Sequence, residues 1–429
     1  MKALAIKMNK RFYYGWVVVF VSALALFFSA PGQTYSISIF INVYETEFGY
    51  SKTALSTGYS IATTVSGLLL IIIGRLTDKV GQRFMLVLVA TLLAFTAFYN
   101  SVVANLWMIY VGFFLLRYFG QGSMTLIPNS LVPQWFDKRR ALSISVAGYG
   151  NLLATLVVPI FNVWLINTLD WQNAWRFWGF SLLLVFVPIA LVLVINRPED
   201  AGMTMENGEE PDEDAARESL HEMERTSWTL KETLRTKEFW FVGLMSLIVP
   251  MFTTGITFHW IEMMAQRNIA REAAAITIGL IALPFAVMPF FARVLIDRYP
   301  VKNVFLLTLG MIILSMLWLA YFIHGIAGAI MFILFYGLAV SIQSVALNTL
   351  WPNYFGRKYL GSIRGAATVF MVLGSALGPL PFGVVFDQTQ SFVPVILGMM
   401  VMTIGAIGLT LFIKKPTKKD NPDASTTIR

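Results

Sequence analysis

TALSTGYSIATTVSGLLLIIIGRLTDKVGQR, residues 53–83, changes character part-way along. Positions 53–74 carry no charge and make a helix long enough, at about 1.5 Å per residue, to cross a hydrocarbon layer of about 30 Å. The next nine positions hold Arg75, Asp78, Lys79 and Arg83, with Gly74 and Gly81 marking a turn. A membrane-spanning helix that stops abruptly in a charged turn is the simplest reading.

Segments of the same kind fall at 13–42, 53–74, 84–103, 106–134, 141–166 and 175–195, and again at 239–264, 274–296, 303–322, 326–350, 363–386 and 392–413. The predicted fold is an all-α membrane protein of twelve transmembrane helices in two pseudo-symmetric six-helix bundles. Residues 1–196 form the first bundle, 197–238 a cytoplasmic linker, 239–413 the second bundle and 414–429 a cytoplasmic tail. Composition agrees: of 429 residues 57% are hydrophobic and only 13% charged, about half the charge of a soluble domain. The basic N-terminus runs into a long apolar segment with no small-residue cleavage site, which reads as a first spanning helix and not a removed signal.

The linker holds thirteen of the twenty-four acidic residues. Its end, SWTLKETLRTKEFW (227–240), has the amphipathic spacing of a short interfacial helix, for which Ser227 is a candidate cap. Of 32 Lys and Arg, 26 fall in stretches assigned to one side, so both termini are expected in the cytoplasm, with the chain in a plasma or bacterial inner membrane. That bias accounts for the net charge of +8 without nucleic acid. There is no cysteine, and His221, His259 and His324 lack metal-ligand spacing, so neither a metal nor a cofactor is expected. No phosphate-binding GxxxxGK[ST] occurs, which argues against an ATP-driven pump, and no acid, base and nucleophile cluster at membrane depth, which argues against an enzyme.

The halves echo each other. GRLTDKVGQR (74–83) ends the second span and RVLIDRYPVK (293–302) the eighth, each with Leu-x-Asp-[Lys/Arg] at the cytoplasmic exit. Internal repeats of this kind belong to alternating-access carriers. The first copy resembles the loop signature of the major facilitator superfamily, and the resemblance implies a conformational latch made by Gly74, Asp78 and Arg83, with Arg139 or Arg140 as partner and Asp297 and Arg298 in the degenerate second copy. YYGWVVV, RYFGQGS, QWFDKRRALSISVAGYG, RPEDAG and NYFGRKYLGSIRG resemble its monocarboxylate transporter and oxalate–formate antiporter branch, in order along nearly the whole chain. Members of that branch carry an Arg in the eighth span where this chain has Pro289, and Arg293 lies one turn nearer the cytoplasm.

Arg117 is the sharpest single residue. It lies about 16 Å into the fourth span, where a charge costs at least about 2.5–3.5 kcal/mol on insertion scales. No acidic residue is expected at that depth, so either an anionic solute or interhelical carbonyls receive it. Arg293 is a second candidate anion contact, or a cation reaching for the interface. His259 and Glu262, three apart on one face, form a candidate proton-accepting pair or a wet interfacial one. Gln33 and Tyr35 follow Pro31-Gly32, where the first span is expected to break, and with Gln343 they are the chosen cavity residues. Asn151, Thr253, Thr254 and Asn348 serve equally as helix-to-helix hydrogen bonds.

The expected function is secondary transport of a small organic anion by alternating access, with the bilayer as environment and the proton as candidate coupling ion. Two alternatives stand beside it: an exporter of amphipathic or drug-like compounds, for which 20 Met and 34 Phe would build the cavity, and a non-transporting sensor or scaffold that docks through the linker or tail.

Overall fold

The computed structural model describes residues 12–136, 139–198, 200, 228–356, 360–413 and 415–416. Among them, ten helices are long and apolar enough to cross a membrane. One of the ten contains two crossings joined at a kink, and a further crossing is broken into short pieces, so the chain makes twelve.

The crossings are α1 (Gly15–Phe28, a 3₁₀ turn Ala30–Gly32, then Thr34–Phe48), α2 (Lys52–Val80), α3 (Gln82–Asn100) and α4 (Leu106–Leu115, Leu116–Ser123, Met124–Leu131). Arg140–Ser181 is continuous except at Asp170 and supplies α5 (140–169) and the start of α6, which runs on through Leu182–Phe186 and Val187–Leu193. In the second half are α7 (Lys237–Ala265), α8 (Arg271–Gly279 and Ala282–Arg298), α9 (Val301–Leu317 and Trp318–Phe322), α10 (Gly325–Phe355), α11 (Leu360–Leu377 and Pro379–Thr389) and α12 (Val393–Leu411). Leu68, Leu184 and Val401 are each about two-thirds exposed. An exterior this apolar suits lipid and not water.

The first of two compact units contains α1–α6, residues 255–286 of α7 and α8, and residues 379–390 of α11. Its core is stitched by aromatic side chains with polar handles. Trp175 donates Nε1–H to the Tyr44 hydroxyl at 3.0 Å, and its ring stacks on Phe40 at 4.1 Å. Trp178 donates to Asn162 at 2.8 Å, and Asn162 donates in turn to Ser36 at 2.8 Å. Each apolar body packs while its one N–H is satisfied, as burial of Trp requires.

The second unit contains residues 228–254 of the described chain, 287–378 and 391 onward. Its core gathers Phe239, Val242, Met245, Phe305, Leu309, Trp351 and Phe355. Lys302 donates to the carbonyls of Leu411 and Ile413 at 2.8 and 2.9 Å, placing a cation at the negative end of α12. The amphipathic stretch ahead of α7 forms a one-turn helix, Leu230–Leu234. Its cap is Thr229, in a reciprocal box with Glu232; Ser227, the residue expected from sequence, lies outside the described residues.

Each unit repeats one close contact. A Cβ on Gly150 of α5 would lie 1.9 Å from the Ala23 carbonyl oxygen of α1, and one on Gly374 of α11 would lie 2.1 Å from the Leu247 carbonyl oxygen of α7. The fifth helix of each half thus rides on the backbone of the first, as small-residue packing in membranes permits.

Asp170 joins α5 to α6 at φ 68°, ψ 160°, a region that suits glycine almost alone. Asp170→Gly should therefore raise stability by about 1 kcal/mol, less any gain in unfolded-state freedom. A higher melting temperature of the detergent-solubilised protein is the expected reading; an unchanged or lower one would show that the turn is unstrained.

Candidate functional site

The break in α1 organises the first unit. Pro31 has no N–H to give a continuing helix, and Gln33 is extended at φ −82°, ψ 149°. The helix restarts at Thr34. Ser36 and Ile37 donate to the Gln33 carbonyl at 3.0 Å, while the Gln33 side chain gives no cap and donates to Ser29 Oγ at 3.0 Å. The backbone N–H groups of Thr34 and Tyr35 consequently have no acceptor among the described residues. This is the positive end of a half-helix inside the bundle.

Against this break lies the π-helical segment Leu116–Ser123 of α4. A Cβ on Gly32 would meet the Leu116 carbonyl oxygen at 2.2 Å and Gly120 Cα at 2.7 Å, so the two irregular backbones touch. Ser123 donates Oγ–H to the carbonyl of Tyr118, five residues back, at 2.7 Å, following the wide turn.

Arg117 opens that segment and is 2% exposed. Its Nε–H donates to Thr63 Oγ1 at 3.0 Å, and Nη1 donates to the Gly32 carbonyl at 3.2 Å and to Thr34 Oγ1 at 3.3 Å. The guanidinium stands 5.0 Å from the centre of the Tyr59 ring, and the Tyr59 hydroxyl lies 2.7 Å from Thr34 Oγ1. Nη2 has no hydrogen-bond partner among the described residues, and no carboxylate pairs with the group: the ion pairs there belong to Lys52. A full positive charge is buried next to the positive end of the Thr34–Phe48 half-helix, held by neutral acceptors and one π face.

Ser22, Tyr35 and Ser60 of this unit carry buried hydroxyls without partners. Tyr35 Oη lies beside Thr155 of α5 with no partner at hydrogen-bond distance, and Ser60 Oγ has none. Buried hydroxyls left unpaired cost roughly 1–3 kcal/mol each, so a ligand that engages them recovers something. His259 is 3% exposed; its Nε2 lies 3.1 Å from the Pro379 carbonyl, to which it donates, and 3.2 Å from Ser56 Oγ. Glu262 approaches Lys52 instead, at 3.9 Å.

In the second unit Gln343 is 5% exposed with Oε1 unpartnered, and Ser341 Oγ is unpartnered nearby in sequence. Thr253 shares a short hydrogen bond with the Tyr336 hydroxyl, and Thr254 with Ser375 at 3.0 Å. The side chains of Arg293, Asp297 and Asn348 lie outside the described residues, as do those of Asp78 and Arg140.

The turn after α2 is described in part. Gly81 has φ +93°, which favours glycine, and Asn196 Oδ1 accepts from the backbone N–H of Arg83 at 2.8 Å. Arg83 Nη2 donates to the Leu191 carbonyl at 2.8 Å, so it ties α3 to the end of α6. A Cβ on Gly74 would meet only Leu126 Cδ2, at 4.0 Å; Arg139 is exposed at the start of α5, and Arg298 is exposed in the last turn of α8.

Sequence reasoning did not single out Thr34, Tyr59, Ser60 or Thr63. A signal was present: Ser56, Ser60 and Thr63 recur at helical spacing in an otherwise apolar α2 and mark one polar face.

The chain resembles known proteins over most of its length. It is 21% identical over 381 residues to the uncharacterized MFS-type transporter YhjX of Escherichia coli (strain K12), covering 84% of this chain and 85% of that one. It is 22% identical over 351 residues to the glucose transporter GlcP of Staphylococcus epidermidis (strain ATCC 12228 / FDA PCI 1200), covering 74% and 76%. Among solved structures, a bacterial homolog of the human lysosomal transporter Spinster, in its inward-facing and unoccupied conformation, superposes with a TM-score of 0.68 at 14% identity over 93% of this chain and 95% of that one. The family model of the Major Facilitator Superfamily matches residues 15–379. With the repeated helix contacts, the broken first crossing and the twelve spans, this identifies the chain as a member of the Major Facilitator Superfamily, a multi-pass membrane transporter.

Proposed function

We propose that this transporter moves a small organic anion of the monocarboxylate type by alternating access, with Arg117 as the anion contact. The observation that carries this reading is the unspent Nη2 of a buried, carboxylate-free guanidinium beside the uncapped N–H groups of Thr34 and Tyr35. A carboxylate suits such a group because two parallel N–H···O bonds and a full opposite charge are offered together. Tyr35 and Ser60 supply hydroxyls for a second polar group on the solute; Gln33 is a further proposed contact in the first unit, and Gln343 a separate proposed contact in the second. His259 is the proposed proton-responsive residue, and Gly74, Asp78, Arg83, Arg139, Arg140, Asp297 and Arg298 the proposed latch; Arg293 is a further proposed anion contact. The excess of Lys and Arg on one side supports cytoplasmic termini in a cell membrane.

A second reading is transport of a neutral polyol or sugar. The unpartnered Ser60, Tyr35 and Gln343 favour it, and one relative is named as a glucose transporter. Liposomes containing the purified protein, assayed with radiolabelled monocarboxylates and with radiolabelled hexoses, with and without a pH gradient, separate the two. Saturable carboxylate uptake is expected, faster under an inward proton gradient. Hexose flux without carboxylate flux would overturn the anion reading.

A further inference from the structure

The first unit contains a charged cluster that the solute site does not use. It sits at the N-terminal end of α2. Lys52, the first residue of that helix, is only 4% exposed at its side chain. Its ammonium makes a short ion pair with Glu45 in the last turn of α1, stands 3.9 Å from Glu262 of α7 and lies 4.7 Å from the centre of the Phe386 ring of α11. The next residue, Thr53, donates its backbone N–H to Asp387 Oδ2 of α11 at 2.9 Å, while Ser51, just ahead of the helix, accepts from the Ala54 N–H. One turn further on, a Cβ on Gly383 would lie 2.8 Å from Ser56 Oγ and 2.9 Å from the Lys52 carbonyl oxygen, and His259 bridges Ser56 to the Pro379 carbonyl. The first two turns of α2 are thus gripped by α7 and α11, both from the second half of the chain.

These contacts are of a kind that resists separation. A cation at a helix N-terminus is electrostatically unfavourable, and here it is compensated by two carboxylates and a ring face. Asp387 supplies the negative charge that the helix end prefers, and it comes from another helix altogether. Parting α11 from α2 would leave the Thr53 N–H without its carboxylate and take the Phe386 ring from Lys52; parting α7 from α2 would take Glu262 from it. Alternating access requires that one end of a carrier be held shut by contacts that form and break as a set.

We infer that Asp387 and Lys52, with Glu45, Glu262 and Phe386, form a latch that holds this end of the carrier closed, with Asp387 acting as a borrowed N-cap for α2. It is a counterpart, at the opposite end of α2, to the charged turn at 74–83. The inference rests on alternating access but not on the nature of the solute, and its test therefore omits solute.

The chain has no cysteine, so spin labels can be placed by Glu47→Cys and Ala270→Cys, both exposed positions in the first unit. Pulsed electron paramagnetic resonance on the full chain in nanodiscs then reads the distance between the end of α1 and the turn between α7 and α8. One dominant short distance is expected without substitution in the latch. Asp387→Ala should enlarge a longer-distance population by roughly tenfold, the order expected from loss of a helix cap. Lys52→Gln should do the same. Asp387→Asn keeps an acceptor oxygen and should stay near the parent distribution, which also shows that the labelled protein folds. An unchanged distribution in both Asp387→Ala and Lys52→Gln would overturn the latch, and equal shifts in Asp387→Asn and Asp387→Ala would overturn the capping role.

Discussion

Arg117→Gln is expected to lower the initial rate of carboxylate uptake by roughly thirty- to a hundred-and-fiftyfold, the range given by losing a charge-assisted hydrogen-bonded contact of about 2–3 kcal/mol. Gln is the informative substitution because it is neutral yet still donates. Its amide can reach one of the three acceptors now used by Arg117, so the Gly32 carbonyl need not be stranded. Thr63 can turn its hydroxyl to a carbonyl one turn back, as Thr57 and Thr64 already do, and Thr34 keeps the Tyr59 hydroxyl as partner. Arg117→Lys keeps the charge but not the fork, and a single ammonium cannot serve Thr63, Gly32, Thr34 and a solute at once. It should fall between parent and Gln. Carboxylate uptake within about threefold of the parent in folded Arg117→Gln would remove the group from solute recognition and leave it a bolt between α1, α2 and α4.

The second large effect concerns backbone. Gly32→Ala places a methyl 2.2 Å from the Leu116 carbonyl oxygen and 2.7 Å from Gly120 Cα, atoms that cannot swing aside. Gly120→Ala meets the mirror problem, at 2.7 Å from Gly32 Cα. Either change must push α1 from α4, and each should cost about 1–3 kcal/mol in overpacking alone. Gly32→Ala should cost more, because the displaced carbonyl is one that Arg117 uses. Transport is expected to be lost even at temperatures where the protein remains folded. Gly148→Ala is the control: nothing lies within 4 Å of the added carbon, and the same assays should register no loss. Gly32→Ala melting at the parent temperature with uptake intact would show that the contact at the break is loose.

Much of the architecture was legible because lipid imposes a length on each crossing. Residues 53–74 and their eleven counterparts could be counted directly, and Pro31-Gly32 announced the break in α1 by removing a donor and a side chain at adjacent positions. The π segment at Leu116–Ser123 was not announced: a wide turn has no fixed residue requirement, and Gly120 and Gly122 read equally well as ordinary close packing. The partners of Arg117 were hidden for a related reason, since a carbonyl acceptor such as that of Gly32 has no letter in the sequence. His259 and Glu262 illustrate the opposite hazard. Spacing of three put them on one face, but it could not show the partners each finds on neighbouring helices, Lys52 for Glu262 and Ser56 and the Pro379 carbonyl for His259. A polar linker divides the sequence into halves at 197–238, while residues 255–286 and 379–390 pack with the first compact unit. Compactness follows which helix ends touch, and no composition change marks that.

A buried guanidinium without a carboxylate has an electrical consequence. On the proposed reading, the vacant carrier holds one uncompensated positive charge, and a carrier loaded with a monovalent anion holds none at that place. The membrane potential therefore acts on the returning empty form, at about 2.3 kcal/mol per charge per 100 mV for the whole field and proportionally less for the fraction crossed. Turnover would be set by voltage through the step in which nothing is carried.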